Sequence, residues 1–519
     1  MDNKKAVKAV VVMMFIMLVG KVFGLVREML FLFYYGTETI EAAAFTVANQ
    51  IPRSFLDAMF ASAISASFIP VFNDYFEKQG KEAAYRLTYN FINIILVVSG
   101  VICIVGMVFA SPIMDWYAAG YAPEAKALSA VLLRMMLPLL VISGAAFVLV
   151  GVVQSLGEFS IPAAMSAVSN SIIIIYFLFF IDRFGIHGLA VVFLFAWLAQ
   201  LLIQLPFLYK NGFGWRFSID FKDPGIKQIA VLMLPVMLST WIQPVNIMIN
   251  TKVASGLFGG SGGAGVTALN GANTLYTVIM GVFILSVANV IFPRLAKQNT
   301  NNDTDGFGDT LYFTLHAIFY FLIPMTVGLI ILAEPLVRLV YQRGLFNTFS
   351  TTITARALTF YCVGIIGFGV QTILSRGFYA LKDGKTPLIT SIAAIAINLV
   401  LSLLLVGPMD VGGVALASSV SISVVAVVMI VVMSKNFKLD MRRDIAGMIV
   451  GAWLMAVFVI VARRFFLAYP DTMAIRLAVV FVPSVLGAIV YFGVTWLLGL
   501  SEARMAMSGA ISLLKKVKG

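Results

Sequence analysis

About fourteen stretches of predominantly apolar residues, each of roughly twenty or more, follow one another along this chain, and that pattern restricts what it can become. A segment surrounded by hydrocarbon must satisfy every backbone N–H and C=O internally, which excludes open strands and loops and demands helices. Crossing a core of about 30 Å takes about 20 residues at 1.5 Å each. The stretches run at 7–34, 41–71, 88–111, 127–154, 160–181, 187–209, 227–255, 265–293, 309–333, 351–380, 386–406, 411–433, 445–465 and 475–499. The longest polar connections, Asn73–Arg86, Tyr209–Lys227 and Arg294–Asp309, are too short for a soluble domain. The expected fold is an all-α polytopic membrane protein of about 14 transmembrane helices.

Composition agrees: 61% of residues are hydrophobic and 12% charged, with a mean hydropathy of +0.99. A net charge of +12 could suit nucleic acid, but the lysines and arginines lie in short connections between apolar runs, so no nucleic-acid partner is expected. Counted over alternate connections, about 22 fall on the side of both termini and about 7 on the other, which places both termini in the cytoplasm. Met1–Lys8, with Lys4, Lys5 and Lys8, precedes an apolar stretch too long for a signal-peptide core and reads as the start of a retained first helix.

Enzyme signals are weak. Cys103 and Cys362 lie inside apolar runs and read as core filler, and His187 and His316 are far apart, with no cluster at metal-ligand spacing. The Gly259–Gly263 run is followed by no Lys-Ser/Thr and is a linker rather than a phosphate-binding loop. No cofactor is expected. Sodium or proton coupling, the membrane potential or the substrate gradient remain as energy sources. Tyr209–Lys227, with Trp215, Phe217 and Phe221, reads either as an interfacial segment or as an ordinary loop with aromatic anchors.

A faint repeat is present. Phe68-Ile69-Pro70 closes the second run and Ile291-Phe292-Pro293 the eighth; Ser155-Leu156-Gly157-Glu158 before Pro162 matches Ala380-Leu381-Lys382-Asp383 before Pro387. An even number of spans per repeat gives two halves of like orientation, related by a pseudo-two-fold axis along the membrane normal. The expected organisation is an N-lobe at 1–222 (helices 1–6), a C-lobe at 223–440 (helices 7–12), and 441–519 holding helices 13–14 and a basic C-terminal tail.

An ionisable side chain inside the bilayer costs about 2.5–3.5 kcal/mol on insertion scales, so it belongs beside a wet cavity or a partner. The first two runs hold Lys21, Arg27, Glu28, Arg53 and Asp57, accompanied by Asn49 and Gln50. Lys21 and Glu28 stand seven residues apart, and Arg53 and Asp57 at i, i+4. Two readings stay open: a hydrophilic cavity whose Lys21, Arg27 and Arg53 attract a pyrophosphate, or self-neutralising pairs between helices. Gln243, Asn246, Asn250 and Lys252 in the seventh run and Asn270, Asn273, Thr274 and Asn289 in the eighth either complete that cavity or pack helices together. Arg134 and Arg376 are isolated, and Arg376 is expected to snorkel to the headgroups.

Several of these residues carry a family resemblance. Gly20-Lys21-Val22-Phe23-Gly24-Leu25-Val26-Arg27-Glu28, Ala44-Phe45-Thr46-Val47-Ala48 through Ile51-Pro52 to Ser67-Phe68-Ile69-Pro70-Val71-Phe72, Ile249-Asn250-Thr251 with Ala254-Ser255, Phe292-Pro293-Arg294-Leu295, Gln342-Arg343-Gly344-Leu345-Phe346, and Arg376 to Leu381 with Thr386-Pro387 together resemble the MurJ (MviN) family of lipid II flippases, within the multidrug/oligosaccharidyl-lipid/polysaccharide (MOP) exporter superfamily. The resemblance implies two six-helix lobes around a cationic cavity and two further helices forming a groove for the polyprenyl tail. It also implies alternating access that moves the undecaprenyl-pyrophosphate-linked peptidoglycan precursor, lipid II, to the outer leaflet of the bacterial inner membrane for cell-wall synthesis. Partners are then lipid II and membrane lipids, and the chain is expected to be a monomer. Arg27 and Glu28 match the family's first-helix charges, and Lys21 replaces an arginine seen in some members. Three positions depart: Ala43, with Glu41 near it, stands where an aspartate is usual; the second-helix arginine falls at Leu56 or Asp57; the eighth-helix arginine falls at Thr274. Some relatives bind sodium through positions that correspond to Asn250, Asn398, Ser402, the Val414 carbonyl and Ser418, but the expected carboxylates are missing here. Export of another lipid-linked oligosaccharide or cation-coupled drug efflux is the alternative within the superfamily; a membrane glycosyltransferase, ligase or scaffold is the alternative outside it.

Overall fold

The computed structural model of the chain describes residues 3–55, 62–259, 263–437, 439, 442–466, 468–500 and 502–504. Among these, every regular element is a helix. Eight helical stretches are each long and apolar enough to cross a bilayer, and the bent pair Thr348–Val363 and Ile365–Ala380 makes a ninth. One of the eight, Lys385–Ser434, has 50 residues. That is about 75 Å of helix, more than twice a bilayer core. It reverses at Asp410, where φ is 51°, and a Cβ on Gly413 would stand 2.2 Å from the Leu405 carbonyl oxygen, so it supplies two of the expected spans. The expected first, second, seventh and eighth spans are also helical, as Asn3–Tyr35, Ile40–Phe55 with Ser62–Lys78, Pro224–Thr240 with Ile242–Ala254, and Ala264–Thr300. The architecture is consistent with fourteen crossings. Pro70 and Pro293, read in the sequence as span ends, sit inside helices that continue for several residues beyond them. A membrane helix tolerates the lost hydrogen bond when neighbours re-satisfy the freed carbonyl.

The repeat is visible in the backbone. Gly157 N–H donates to the Gln154 carbonyl and Glu158 N–H to Val153; at a constant offset, Lys382 N–H donates to Tyr379 and Asp383 N–H to Phe378. These are the crossed bonds of a Schellman-type helix end, with Gly157 and Lys382 both at positive φ. The next helix is then started alike: Glu158 accepts from Ser160 N–H and Asp383 from Lys385 N–H. Gly185 and Asp410 repeat the pattern, with φ of 55° and 51° where each following hairpin turns. Lys382 and Asp410 adopt a conformation disfavoured for a residue with a Cβ, and at Lys382 the crossed hydrogen bonds of the helix end hold it there.

Packing divides the chain into two compact units, Met1–Asn270 with Gly344–Phe346, and Gly271–Arg343 with Asn347–Gly519. The sequence repeat places its boundary at 222; the break in packing comes one span later, because Pro224–Thr240 lies along Ser62–Lys78.

In the first unit, helix Asn3–Tyr35 packs along Ser160–Phe179. Its far end receives Leu345, whose N–H donates to the Phe33 carbonyl at 2.9 Å. Gly344 (φ 57°) approaches Phe33 so closely that a Cβ would meet the Phe33 carbonyl oxygen at 2.3 Å. Residues 211–223, the connection left open by the sequence, are an irregular segment with turns at 211–212 and 221–222, pinned by side-chain hydrogen bonds. Asn93 donates to the Arg216 and Ser218 carbonyls and accepts from the Trp215 indole, while Asn90 exchanges two bonds with Asp220. Asn90 and Asn93 are buried on helix Lys81–Val108, where they supply the partners this segment lacks. Trp215, Phe217 and Phe221 remain exposed.

Gly120 marks a close backbone-to-backbone approach within this unit. A Cβ there would lie 2.3 Å from Gly256 Cα and 2.6 Å from the Ser255 carbonyl carbon. Backbone cannot swing aside as a side chain can. Gly120→Ala is expected to lower stability by about 2 kcal/mol, read as thermal unfolding in detergent. Gly100, which has nothing within 4 Å of its Cβ position, serves as control: Gly100→Ala should be neutral or stabilise by up to about 1 kcal/mol.

In the second unit, helix Thr304–Tyr341 carries the C-terminal helices Arg442–Phe466 and Met473–Leu497 along its length. Tyr491 donates to the Tyr320 carbonyl at 2.8 Å, and the Tyr320 and Thr495 hydroxyls share a bond of 2.9 Å, within a core of Ile323, Met448, Met455 and Val459. His316, read from the sequence as structural, stands beside this core. Its Nδ1 bonds to Glu502 Oε1, and its Nε2 lies 3.0 Å from Asp444 Oδ2, off the line of a hydrogen bond. Arg376 lies over the Phe292 ring, 5.5 Å from its centroid, joining two of the motifs noted in the sequence.

Candidate functional site

The charged turn of the first helix is the best-defined candidate. Arg27 and Glu28 are neighbours on helix Asn3–Tyr35, with Nη2 3.6 Å from Oε2. That is an ion pair but too long for a hydrogen bond. Glu28 is 6% exposed, and its Oε1 accepts from Asn270 Nδ2 at 2.9 Å, a bond to the start of helix Ala264–Thr300. The Arg27 guanidinium lies over the Phe193 ring, 5.7 Å from its centroid. Phe193 is in turn set edge-on against Phe45, which packs on Phe31. The carboxylate and the ring therefore orient the cation, and its side chain keeps 20% of its surface open. A guanidinium held this way can still turn a pair of N–H groups toward a phosphate.

Lys21 is exposed one turn and a half earlier on the same helix, and Arg53 is exposed at the end of Ile40–Phe55. Leu56 and Asp57 lie outside the described residues, so the expected Arg53–Asp57 pair does too. Asn49 is half-buried. Gln50 has a bracing role: its Oε1 accepts from Tyr117 at 2.9 Å and Thr251 at 2.7 Å, tying the second span to Ala110–Tyr117 and Ile242–Ala254. Beside it Lys252 Nζ sits 3.8 Å from the centre of the Trp116 ring, and Ser255 accepts from Gly120 N–H. Arg134 is likewise structural, donating to the Met107 carbonyl at the end of Lys81–Val108 and to Ser111. Asn273 belongs to the second unit, where it is half-buried.

Ala43, at the position of the family's usual aspartate, is fully buried, and a Cβ on Gly263 would fall 1.9 Å from its own. Its carbonyl accepts from Tyr121. There is no space for a carboxylate at this point, so the missing charge is a packing choice.

Of the residues corresponding to a sodium site, four form one cluster in the second unit. Asn398 Oδ1 accepts from Ser418 at 3.2 Å and Ser402 at 3.4 Å, and Ser418 also reaches the Val414 carbonyl at 3.3 Å. Asn250 falls in the first unit. All four groups are neutral, and their oxygens are engaged with one another. Among the described residues no group of three or more His, Cys, Asp or Glu side chains could hold a metal ion. Neutral donors offset little of the desolvation cost of a buried cation.

Periodicity and charge flagged Arg27 and Glu28. Their partners Asn270 and Phe193 were legible only as a polar and an aromatic residue in distant runs, since nothing local couples positions more than 160 apart.

Comparison with known proteins identifies the family and the fold. The sequence model of a family described as lipid II flippase MurJ matches residues 32–481, beginning just after the charged turn. A probable lipid II flippase MurJ of Rhizobium tropici is 27% identical over 511 residues, covering 95% of this chain and 89% of that protein. Among solved structures, a lipid II flippase MurJ in an inward closed conformation superposes with a TM-score of 0.80 at 23% identity, over 94% of this chain and 98% of the other. An inward-facing MATE family multidrug resistance transporter of the MOP superfamily reaches a TM-score of 0.65 at 16% identity, over 82% and 94%. At these identities the structural matches speak to the fold.

Proposed function

The chain belongs to the MurJ family of lipid II flippases, a family of transporters rather than enzymes, and from that premise we propose that it moves lipid II from the cytoplasmic to the outer leaflet by alternating access, for peptidoglycan synthesis. It is an integral protein of the bacterial inner membrane. The observation that carries the proposal is the Arg27 guanidinium, set between Glu28 and the Phe193 ring with 20% of its side-chain surface exposed. Arg27 binds the pyrophosphate, with Lys21 and Arg53 adding charge, and Glu28 keeps the guanidinium in place. The repeated turns support two lobes of like orientation, N-terminal and C-terminal, that rock against each other. Both termini are cytoplasmic and the protein works as a monomer.

The neutral oxygens around Asn398 favour the membrane potential over a bound sodium ion as the energy source. An inside-negative potential drives an anionic headgroup outward with about 2.3 kcal/mol per charge per 100 mV. Lipid II translocation in proteoliposomes tests the proposal: protein-dependent appearance of labelled lipid II in the opposite leaflet, sensitive to Arg27→Ala, is expected. Translocation of a drug cation or of another lipid-linked oligosaccharide, with none of lipid II, would overturn it. Tyr469→Cys, in the turn between the last two long helices, should react with an impermeant maleimide added to intact spheroplasts if the proposed orientation holds.

A further inference from the structure

One end of the second unit carries a concentration of one residue type. Residues 334–343 and 463–476 contain five arginines, Arg338, Arg343, Arg463, Arg464 and Arg476, with no lysine and two carboxylates, Glu334 and Asp471. In the orientation proposed above this is the outer side, where basic residues are expected to be few. The helices that bear them, Thr304–Tyr341, Arg442–Phe466 and Met473–Leu497, pack together.

Part of this set is a staple. Asp471 accepts from Arg338 Nη2 at 2.8 Å and from Arg476 Nε and Nη2 at 2.8 and 2.7 Å. Arg463 pairs with Glu334 at 2.8 Å and donates to the Ile331 carbonyl. The Arg476 hydrogen bond, with the nearby Arg338 charge, holds the Asp471 carboxyl below the usual carboxylate range, so this staple is kept at neutral pH and lost only as pH falls through that lowered value.

Stapling needs one cation per carboxylate, and five arginines against two carboxylates leave an excess of three positive charges. Arg343 rests on neutral partners, the Leu339 carbonyl and Met473 sulfur, and Arg464 is exposed; among the described residues neither pairs with a carboxylate. Arg338 Nε and Gln342 Oε1 are buried in the same cluster without hydrogen-bond partners. The exposed rings of Phe465 and Tyr469, 5.5 Å apart, stand beside it, as aromatic side chains do at headgroup depth. Arginine rather than lysine is the residue that meets a phosphate with two parallel N–H bonds.

We propose that this arginine cluster is a binding site for the phosphate of an anionic lipid headgroup in the outer leaflet. The assignment of leaflet rests on the orientation proposed above; the chemistry of the site does not. Arg343 and Arg464 supply the free charge, and the stapled arginines set its depth against the three helices.

The test uses the full-length protein purified in detergent, with lipid retention measured by native mass spectrometry for phosphatidylglycerol against phosphatidylcholine. Preferential retention of phosphatidylglycerol is expected, weakened about 30-fold in the double variant Arg343→Gln, Arg464→Gln and lost at high salt. Glu334→Gln, which raises the excess charge, should tighten retention about fivefold, the opposite of what weakening a merely structural staple would do. Equal retention by wild type and both variants overturns the site. Undecaprenyl pyrophosphate is the third probe: displacement of phosphatidylglycerol identifies the polyprenyl headgroup as an occupant, and failure to displace it assigns the site to phospholipid. Because retention is measured without transport, protein that binds phosphatidylglycerol but does not flip lipid II counts against the proposed function alone, and protein that flips lipid II without lipid preference counts against this site alone.

Discussion

Arg27→Ala is expected to abolish growth in cells depleted of their own lipid II flippase and to cut translocation in proteoliposomes by at least about tenfold. A charge-assisted hydrogen bond contributes about 1.5–3 kcal/mol, and each 1.4 kcal/mol is tenfold in a rate or an equilibrium. The geometry argues that the loss falls on transport rather than on folding. Arg27 meets Glu28, its neighbour on the same helix, at 3.6 Å and the Phe193 ring face at 5.7 Å, and both contacts orient the guanidinium. Thermal unfolding of the variant should therefore stay close to wild type. Arg27→Lys should recover part of the activity, since lysine restores the charge without the two-pronged donor. Glu28→Gln keeps an acceptor for Asn270 but removes the counter-charge, so it should be milder than Arg27→Ala. Normal growth and wild-type translocation with Arg27→Ala would reject the cationic-cavity reading and leave the ion pair as a structural feature.

His316→Ala is expected to lower stability in detergent by about 3 kcal/mol, since it removes a donor from a buried carboxylate. Glu502 is 7% exposed and Asp444 far more open, so the cost should arise mainly on the Glu502 side. His316 connects helix Thr304–Tyr341 to Asp444 on Arg442–Phe466 and to Glu502 beyond Met473–Leu497. Its loss should loosen the end of the C-terminal pair that carries Asp444 and Glu502, while the bonds of Tyr320 with Thr495 and Tyr491 hold the middle. A double-mutant cycle with Glu502→Ala, read by thermal unfolding, measures the coupling; additive effects would show that the contact contributes nothing.

What the sequence by itself determined follows from local physics. Apolar run length dictates helices across a bilayer, and it identified the all-helical membrane class; the described helices bear that out. The match of Ser155–Glu158 with Ala380–Asp383 was equally legible, because a helix end is closed by hydrogen bonds within about six residues and its sequence signature is correspondingly short. Even there the sequence did not announce that Lys382 and Asp410 would take the positive φ that Gly157 and Gly185 adopt easily. Charge in the first helix was visible because an ionised side chain in a hydrocarbon run is costly wherever it occurs.

Only the tertiary structure decided what those groups do. Gln50, read as a cavity residue, spends its carbonyl oxygen on Tyr117 and Thr251; Ala43 is sealed against Gly263; Asn90 and Asn93 serve the backbone of residues 211–223; His316 finds its carboxylates more than a hundred residues away. Each depends on which helix faces which, and inside a bilayer that choice is made by close packing and hydrogen bonding between helices, with no hydrophobic drive to reveal it in the pattern of apolar residues.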